Sequence, residues 1–280
     1  MTAPRLLTPN QIIIRGGTYI VIESLAGATL TCGSQSYTLG SGETVHAFEV
    51  TAGTYACTAN KTGYYEASEN VTITSGFEYI TLLPTYLPSS YQQVEYLQSD
   101  GGQYITTSIE PAPSQVINIK FMSTNLNSVN RVFCARNSSY APTAFAIVSR
   151  TQYQAKNNSG ASATSFANPK FTEYNVYDVT FNASTTLTVN GTDYSNALQY
   201  GDTIVTTGAY FTIYRESPTN TQGLIGDIYK FTITQNGSKI IDLVPCYRKS
   251  DSVLGMYDKV TDTLFTNSGS GSFTAGANVQ

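Results

Sequence analysis

Apolar and polar residues alternate in short runs along most of the chain, with turn-forming residues between the runs. In "ATLTC" the alternate positions Ala28, Leu30 and Cys32 face one way, and in "TYACTA" Tyr55, Cys57 and Ala59 do the same. A period of two marks a half-buried strand, and no segment long enough for a helix carries the period of about 3.6 residues that a helix needs. From Thr18 the predicted strands run through "TYIVIESL", "VHAFEVTAGTYACTANKTGYY" and "ENVTITSGFEYITLL", with glycines such as Gly33, Gly53 and Gly76 at the turns. A second series follows: "QVINIKFM", "RVFCAR", "AFAIVSR", "YNVYDVTFN", "TLTVNG", "AYFTIYR", "GDIYKFTIT" and "KIIDLVPC". The clearest local signal is "TLTVNGTDY", where Leu187 and Val189 alternate inward and Asn190-Gly191 is the pair favoured in a two-residue hairpin turn. Between the series, "LPTYLPSS" holds two prolines and no periodicity, which predicts a linker. The pattern therefore predicts an all-β chain: an arm over residues 1–17, a small β-sandwich over 18–84, a linker over 85–92 and a larger jelly roll over 93–280.

Composition changes the picture of the surface. Charged residues are 12% of the 280, where about a quarter is usual in soluble domains. Thr, Ser, Asn, Gly and 21 Tyr stand in their place, so hydroxyls and amides, not charges, wet this protein. The net charge is −4 and no run of Lys or Arg exceeds two, which offers phosphate little attraction and excludes nucleic acid as an expected partner. No apolar run approaches the roughly 20 residues that cross a bilayer, so no membrane partner is expected. The start, "MTAPRLLTPNQIIIRGG", has only the short apolar run Ile12, Ile13 and Ile14, whereas a secretory signal needs about 7–15 apolar residues. Cys32, Cys57, Cys134 and Cys246 lack metal-ligand spacing, and His46 is the one histidine, so neither a metal nor another cofactor is expected. The cysteines are expected reduced and buried, with Cys32 and Cys57 the pair placed to face each other across the small sandwich.

Candidate chemistry concentrates in three places. The stretch "RKSDSVLGMYDKVTDTLFTNSGSGSF" ends in a glycine-serine tail, but it lacks the following helix and the lysine of a phosphate loop. Leu254 and Met256 fall on one face and Val253 and Tyr257 on the other, while Asp258 and Asp262 bracket a turn in which Asp side chains cap backbone N–H groups. This predicts a closing hairpin. Glycoside hydrolysis needs two carboxylates about 5–9.5 Å apart, yet none of Glu95, Glu110, Glu173 and Glu216 stands at strand spacing from another acid. Glu173 and Asp178 fall on opposite faces of one strand, and the chain is expected not to be an enzyme. Binding is better supported. "RNSSYAPT" and "SRTQYQAKNNSG" gather Arg136, Tyr140, Arg150, Tyr153 and Asn157 in polar loops, and "YRESPTN" adds Tyr214, Arg215 and Glu216 at a strand end. Aromatic faces with amide and charged groups around them hold sugars, and loops on a rigid scaffold are where binding residues gather. Loops of Asn, Ser and Tyr equally furnish any neutral β-surface.

Two resemblances extend this reading. "AGTYACTANKTGYY" resembles the small β-sandwich modules of surface proteins related to the carboxypeptidase regulatory-like and Ig-like groups. "LPSSYQQVEYLQSDGGQYITTSI", "LTVNG", "GDIYKFTI" and "DLVPCYRKSDSVLGMYDKVTDTLFTNSGSGSF", in that order over residues 87–273, resemble the concanavalin A-like (LamG/lectin-glucanase) jelly roll. The version they look like is that of phage tail and virion proteins and of surface proteins of gut Firmicutes. The resemblance implies a jelly roll and is unspecific about its ligand; the Glu-x-Asp-x-x-Glu pattern of the family's glucanases is missing. A composition suited to display outside a cell, without an export signal, fits a phage virion protein made in the host cytoplasm and exposed on the virion surface. Its arm, with Leu6, Leu7, Ile12, Ile13 and Ile14, would attach it to other virion proteins, singly or as an oligomer. Its jelly roll would contact host-surface glycans through the candidates named above. A capsid decoration or head-fibre protein with a mainly structural role, and a secreted bacterial carbohydrate-binding surface protein, are the alternatives.

Overall fold

The computed structural model describes residues 5–7, 12–14, 17–112, 114–126, 132–135, 145–149, 152–155, 164–165, 171–182, 186–195, 210–215 and 223–279. At 5–7, 12–14, 145–149, 152–155, 164–165, 182, 186 and 195 it describes the backbone alone. Every element among these residues is a β-strand, so the fold class is all-β. The chain divides into two compact units, Met1–Ser89 and Ser90–Gln280.

In the first unit, Arg5–Leu7 and Ile12–Ile14 pair antiparallel, with Leu6 opposite Ile13. Two further sheets form a small sandwich. One places Tyr19–Glu23 between Val45–Glu49 and Phe77–Thr81; the other runs Gln35–Thr38, Thr29–Cys32, Gly53–Asn60, Ala67–Ile73. The alternation that predicted these strands also selects their inward residues: Ile20, Ile22 and Phe48 from one sheet meet Leu30, Ala59 and Ile73 from the other. Outward positions show how a chain poor in charge finishes a sheet. Thr31 bonds Thr58 and Thr54 bonds Thr72, each at 2.8 Å, as cross-strand hydroxyl pairs. Thr85 still pairs with Tyr65 at the end of this unit, and Tyr91–Gln93 already forms a strand at the start of the next. Cys32 and Cys57 do not face each other across the sandwich. They are opposite each other on neighbouring strands of one sheet, because both lie on its inward row.

The second unit is the larger jelly-roll sandwich. Among the described residues its main sheet has eleven strands, with Gln115–Ser123 and Ile225–Gln235 adjacent at its centre, and its second sheet has six, centred on Phe133–Ala135 and Phe145–Ser149. Gln115–Ser123 alternates buried and half-buried residues along its whole length, which sends Ile117, Ile119 and Phe121 into the core and Asn118 and Lys120 outward. Ile225–Gln235 forms a hairpin with Ser238–Arg248 only as far as the pair Phe231 and Leu243. Beyond it the strands part, and residues 91–100 take up the released edges: Leu97–Asp100 pairs with Ile225–Ile228 and Tyr91–Gln93 with Cys246–Arg248.

The acidic stretch near the C-terminus is the closing hairpin its pattern predicts. Leu254–Asp258 pairs with Thr263–Thr266. The Asp258 carboxylate accepts from the N–H groups of Val260 (3.1 Å) and Asp242 (2.8 Å), and Asp262 turns the chain at φ 53°. The glycine-serine tail then lies on the loop at Gly101 and Gly102, with Ser268 N–H donating to Tyr104 O (2.8 Å) and Ser270 N–H to Gly102 O (3.2 Å). These glycines are there for backbone contact. A Cβ at Gly269 would stand 2.2 Å from Gly102 O, and one at Gly226 would stand 2.1 Å from Met122 O.

Gly226→Ala should therefore destabilise the second unit by at least about 2 kcal/mol, since main chain on both sides must move. Gly191→Asn should cost less than about 1 kcal/mol: its Cβ meets nothing within 4 Å, and Asn tolerates the left-handed backbone of the turn. Urea unfolding followed by tyrosine fluorescence separates the two.

Candidate functional site

Of the sequence-predicted binding residues, Arg136, Tyr140, Arg150 and Asn157 lie outside the described residues, as does Glu216. Tyr153 lies in the strand Gln152–Ala155, its Cα opposite Ile147 and Thr164, with its side chain outside the described atoms. Leu6, Leu7, Ile12, Ile13 and Ile14 form the short ladder above; their side chains are likewise outside the described atoms.

Tyr214 corrects the expectation placed on it. Its backbone is left-handed (φ 72°) and its side chain is 0% exposed. The hydroxyl donates to Leu97 O at 2.6 Å and the ring lies 5.0 Å from that of Phe273, so no ring face is open to a sugar. Arg215 has an internal task as well. Its guanidinium lies 4.6 Å over the Tyr104 ring, and Nη2 donates to the carbonyls of Gly101 (3.3 Å) and Gly102 (3.2 Å). Within the same loop, Gln103 Oε1 accepts from Ser99 Oγ (2.9 Å) and Asp100 N–H (3.0 Å), while its amide donates to Ser270 O (3.1 Å). Tyr214 and Arg215 therefore fix the glycine loops to the core.

The structure assembles a different group on the outer face of the main sheet. The pairing of Gln115–Ser123 with Ile225–Gln235 sets Lys120 opposite Lys230 and Phe121 opposite Ile228, which leaves Tyr229 as one extra residue between them. A bulge of this kind re-aims a side chain. Here the half-buried Tyr229 ring meets Tyr96 edge-on at 5.3 Å, and the Lys120 ammonium stands 5.5 Å over it. On the adjoining strand Gln98 donates to Asp227 Oδ1 (2.9 Å) and accepts from Thr274 Oγ1 (3.2 Å). Beside this pair opens a cleft of about 220 Å³, lined by Gln98, Asp100, Thr124, Ile225, Ser272 and Thr274, with Ser99 at its base.

The surrounding face is polar. Asn118 Nδ2 donates to Asp178 Oδ1 (2.6 Å) and Thr180 Oγ1 (3.1 Å). Its row continues across the sheet through Thr232 to Asp242, whose Oδ2 accepts from Lys239 Nζ at 2.7 Å. Two buried acceptors in that row, Asn118 Oδ1 and Asp242 Oδ1, have no donor among the described residues. Burial pushes the Asp227 carboxyl above its ordinary range, with the Gln98 amide opposing the shift. The Tyr229 phenol is also pushed up, first by burial and then by the Asp227 charge. Aromatic, cationic and amide groups thus share one stretch of surface, with the buried Asp227 carboxyl beneath the Gln98 amide.

None of Tyr96, Gln98, Lys120, Asp227, Tyr229 and Thr274 was singled out by sequence reasoning. One signal for them exists. The inward apolar positions Ile228, Phe231 and Ile233 are spaced by three and then two, which a regular strand does not allow.

Among the described residues, no group of three or more His, Cys, Asp or Glu side chains could hold a metal ion, and no helix is long and apolar enough to cross a membrane. No protein-family model and no curated protein matches the chain. Among solved structures, a "putative carbohydrate binding protein from Bacteroides ovatus ATCC 8483" aligns over 92% of this chain and 82% of its own, at 10% identity and a TM-score of 0.38. A likeness of that degree carries no inference about this chain.

The raised Asp227 carboxyl has a consequence for stability. The unfolded chain ionises this group near the ordinary carboxylate value of about 3.9, before the folded chain does. Stability is therefore undiminished below that value and falls as pH rises from it to the folded value, with the full loss present above. Asp227→Asn, which still offers an oxygen to Gln98, should match the parent in urea unfolding at pH 3 and exceed it at pH 7.

Proposed function

We propose that this chain is a carbohydrate-binding structural protein without enzymatic activity, and that a glycan seats on the outer face of the second unit's main sheet, against Tyr96 and Tyr229. The observation that carries this reading is the bulge at Tyr229. It brings two part-exposed tyrosine rings beside a lysine, a carboxylate and an amide, next to a small polar cleft. A pyranose offers a C–H face that packs against the electron-rich face of an aromatic ring. Its hydroxyls both donate and accept, which suits the Gln98 amide and the Thr274 hydroxyl beside the cleft. The cleft is smaller than the roughly 300–1,000 Å³ of a drug-sized pocket, so it suits one sugar unit or a branch tip.

Absence of catalysis is part of the proposal, and it is supported by several acids of this unit being engaged within the fold. Both Asp258 oxygens accept hydrogen bonds, Oδ2 from Thr261 at 2.6 Å. Glu173 Oε1 takes the N–H of Leu126 at 2.9 Å, and Asp227 is paired with Gln98. These are carboxylates holding loops and strands in place. The finer reading is a phage particle: a virion-surface protein made in the host cytoplasm, held to other virion proteins by residues 1–17, whose jelly roll touches host-surface glycans. It is supported by the resemblance of residues 87–273 to virion jelly rolls and by a composition rich in hydroxyls and poor in charge.

Full-length protein on an array of bacterial surface polysaccharides should bind at least one glycan class. Tyr229→Ala, which shortens an outward side chain, should weaken binding at least tenfold while the unfolding free energy stays within about 1 kcal/mol of the parent. Failure of the full chain to bind any polysaccharide leaves the decoration role as the better reading. The same polysaccharides should release no reducing sugar, and release abolished by one carboxylate substitution would refute the non-enzymatic assignment.

A further inference from the structure

The first unit holds two cysteines in a relation that the proposed glycan-binding role does not use. Cys32 and Cys57 are register partners on adjacent antiparallel strands. Gly33 N–H donates to Ala56 O at 3.0 Å, the residues just beyond the pair, so Cys32 and Cys57 occupy a non-hydrogen-bonded position of the ladder. At such positions the Cα atoms stand about 4.5 Å apart and the side chains come closest, which falls within the about 4.4–6.8 Å that a disulfide spans. Both side chains point into the same core, at 1% and 0% exposure, and the two sulfurs are in contact at 3.5 Å. Cys134 and Cys246 belong to the second unit, and all four cysteines are unbridged in this structure.

We propose that Cys32 and Cys57 form a covalent modification site: a cross-strand disulfide that closes when the protein meets a disulfide oxidant and locks the small sandwich. The chemistry is exchange with a small-molecule disulfide such as oxidised glutathione. One cysteine, as thiolate, attacks a sulfur of the oxidant, forms a mixed disulfide and releases one glutathione thiolate. The second cysteine, as thiolate, attacks the mixed disulfide at the protein sulfur and releases the other. Two electrons pass from the cysteine pair to the oxidant, and the two thiol protons end on the two released glutathiones. Burial lifts both thiols, that of Cys57 to about 12, so thiolate is scarce while the strands are closed and the reaction waits on transient opening. The bridge ties Thr29–Cys32 to Gly53–Asn60 and shortens the free chain of the unfolded state, so it stabilises once made. A protein that leaves a reducing compartment for an oxidising one would acquire this lock after folding.

The test uses the full chain in glutathione buffers from fully reduced to fully oxidised, without denaturant, followed by alkylation and peptide mapping. A Cys32–Cys57 linked peptide, two hydrogens lighter than the reduced pair, should accumulate as the buffer becomes oxidising. The unfolding transition of the first unit should rise by at least about 5 °C, and Cys57→Ala should abolish both effects. Should Cys57→Ala fail to fold, mapping of the parent protein decides alone. Recovery of both residues as free thiols or glutathione adducts in the most oxidising buffer overturns the proposal. So does a linked species whose first unit melts below the reduced form.

Discussion

The ring of Phe133 holds the second unit together. From the six-stranded sheet it reaches within 5.7 Å of Phe231 and 6.3 Å of Phe181 on the main sheet, and lies 6.3 Å from Phe211 beside it. Each of these rings is buried to 1% exposure or less, and full burial of such a side chain contributes about 1.5–3 kcal/mol. With charged residues at 12% of the chain, no charge network could substitute; an exposed pair such as Arg248 and Asp251 adds far less. Because the inner faces carry the stability, the outer faces are released from it. They can be tiled with Thr pairs, Asn and Tyr.

The same locking makes the glycine loops necessary. Once the aromatic layer sets the distance between the sheets, residues 99–103 and 267–271 must close one edge of the sandwich with main chain against main chain. Side chains would keep them apart, which is why Gly223 comes so near Gly101 that a Cβ would stand 2.4 Å from its carbonyl oxygen. Close packing leaves carbonyl groups facing inward. Arg215 supplies the donors for Gly101 and Gly102, and the Tyr214 hydroxyl supplies one for Leu97. A buried carbonyl without a donor costs about 1–3 kcal/mol, so a tyrosine and an arginine beside a polar loop are used as internal fasteners.

That use explains where sequence reading succeeds and where it stops. Ala28, Leu30, Leu187 and Val189 announce their faces because burial acts on each strand by itself, and period two survives without knowledge of the partner strand. The turn at Asn190 and Gly191 is legible for the same reason, with φ values of 49° and 80° dictated by two residues alone. The hairpin at 254–266 follows from its own alternation and its own aspartates. Tyr214 misleads because "YRESPTN" looks like a polar loop, while its hydroxyl is claimed by Leu97, 117 positions away. The Tyr229 group is hidden more deeply: it takes residues from 96–98, 120, 227–229 and 274, which only strand order brings together. Cys32 and Cys57 were legible as inward-facing, but they were expected across the sandwich, and strand adjacency, which brings their sulfurs together within one sheet, is a property of the sheet.

The outer face departs from the economy of charge that governs the rest of the chain. Lys120 stands opposite Lys230 on one neighbouring strand and opposite Asp178 on the other. Like charges directly across a ladder are unfavourable, and an opposite charge on the far side offsets only part of that cost. The Lys120 ammonium finds further compensation over the Tyr229 ring, whose face is negative, and such contacts are worth about 0.5–1 kcal/mol at exposed positions. Bulge, ring and ammonium are therefore one arrangement: without the extra residue Tyr229 would not stand beside Lys120, and the lysine pair would face each other with less to moderate them. In a chain this sparing of charge, two lysines stand in opposition and the strand shifts register beside them, which sets the Tyr229 ring under one of them. The ligand proposed above would meet the same groups that relieve the lysine: the Tyr229 ring by stacking and the polar side chains beside it by hydrogen bonds.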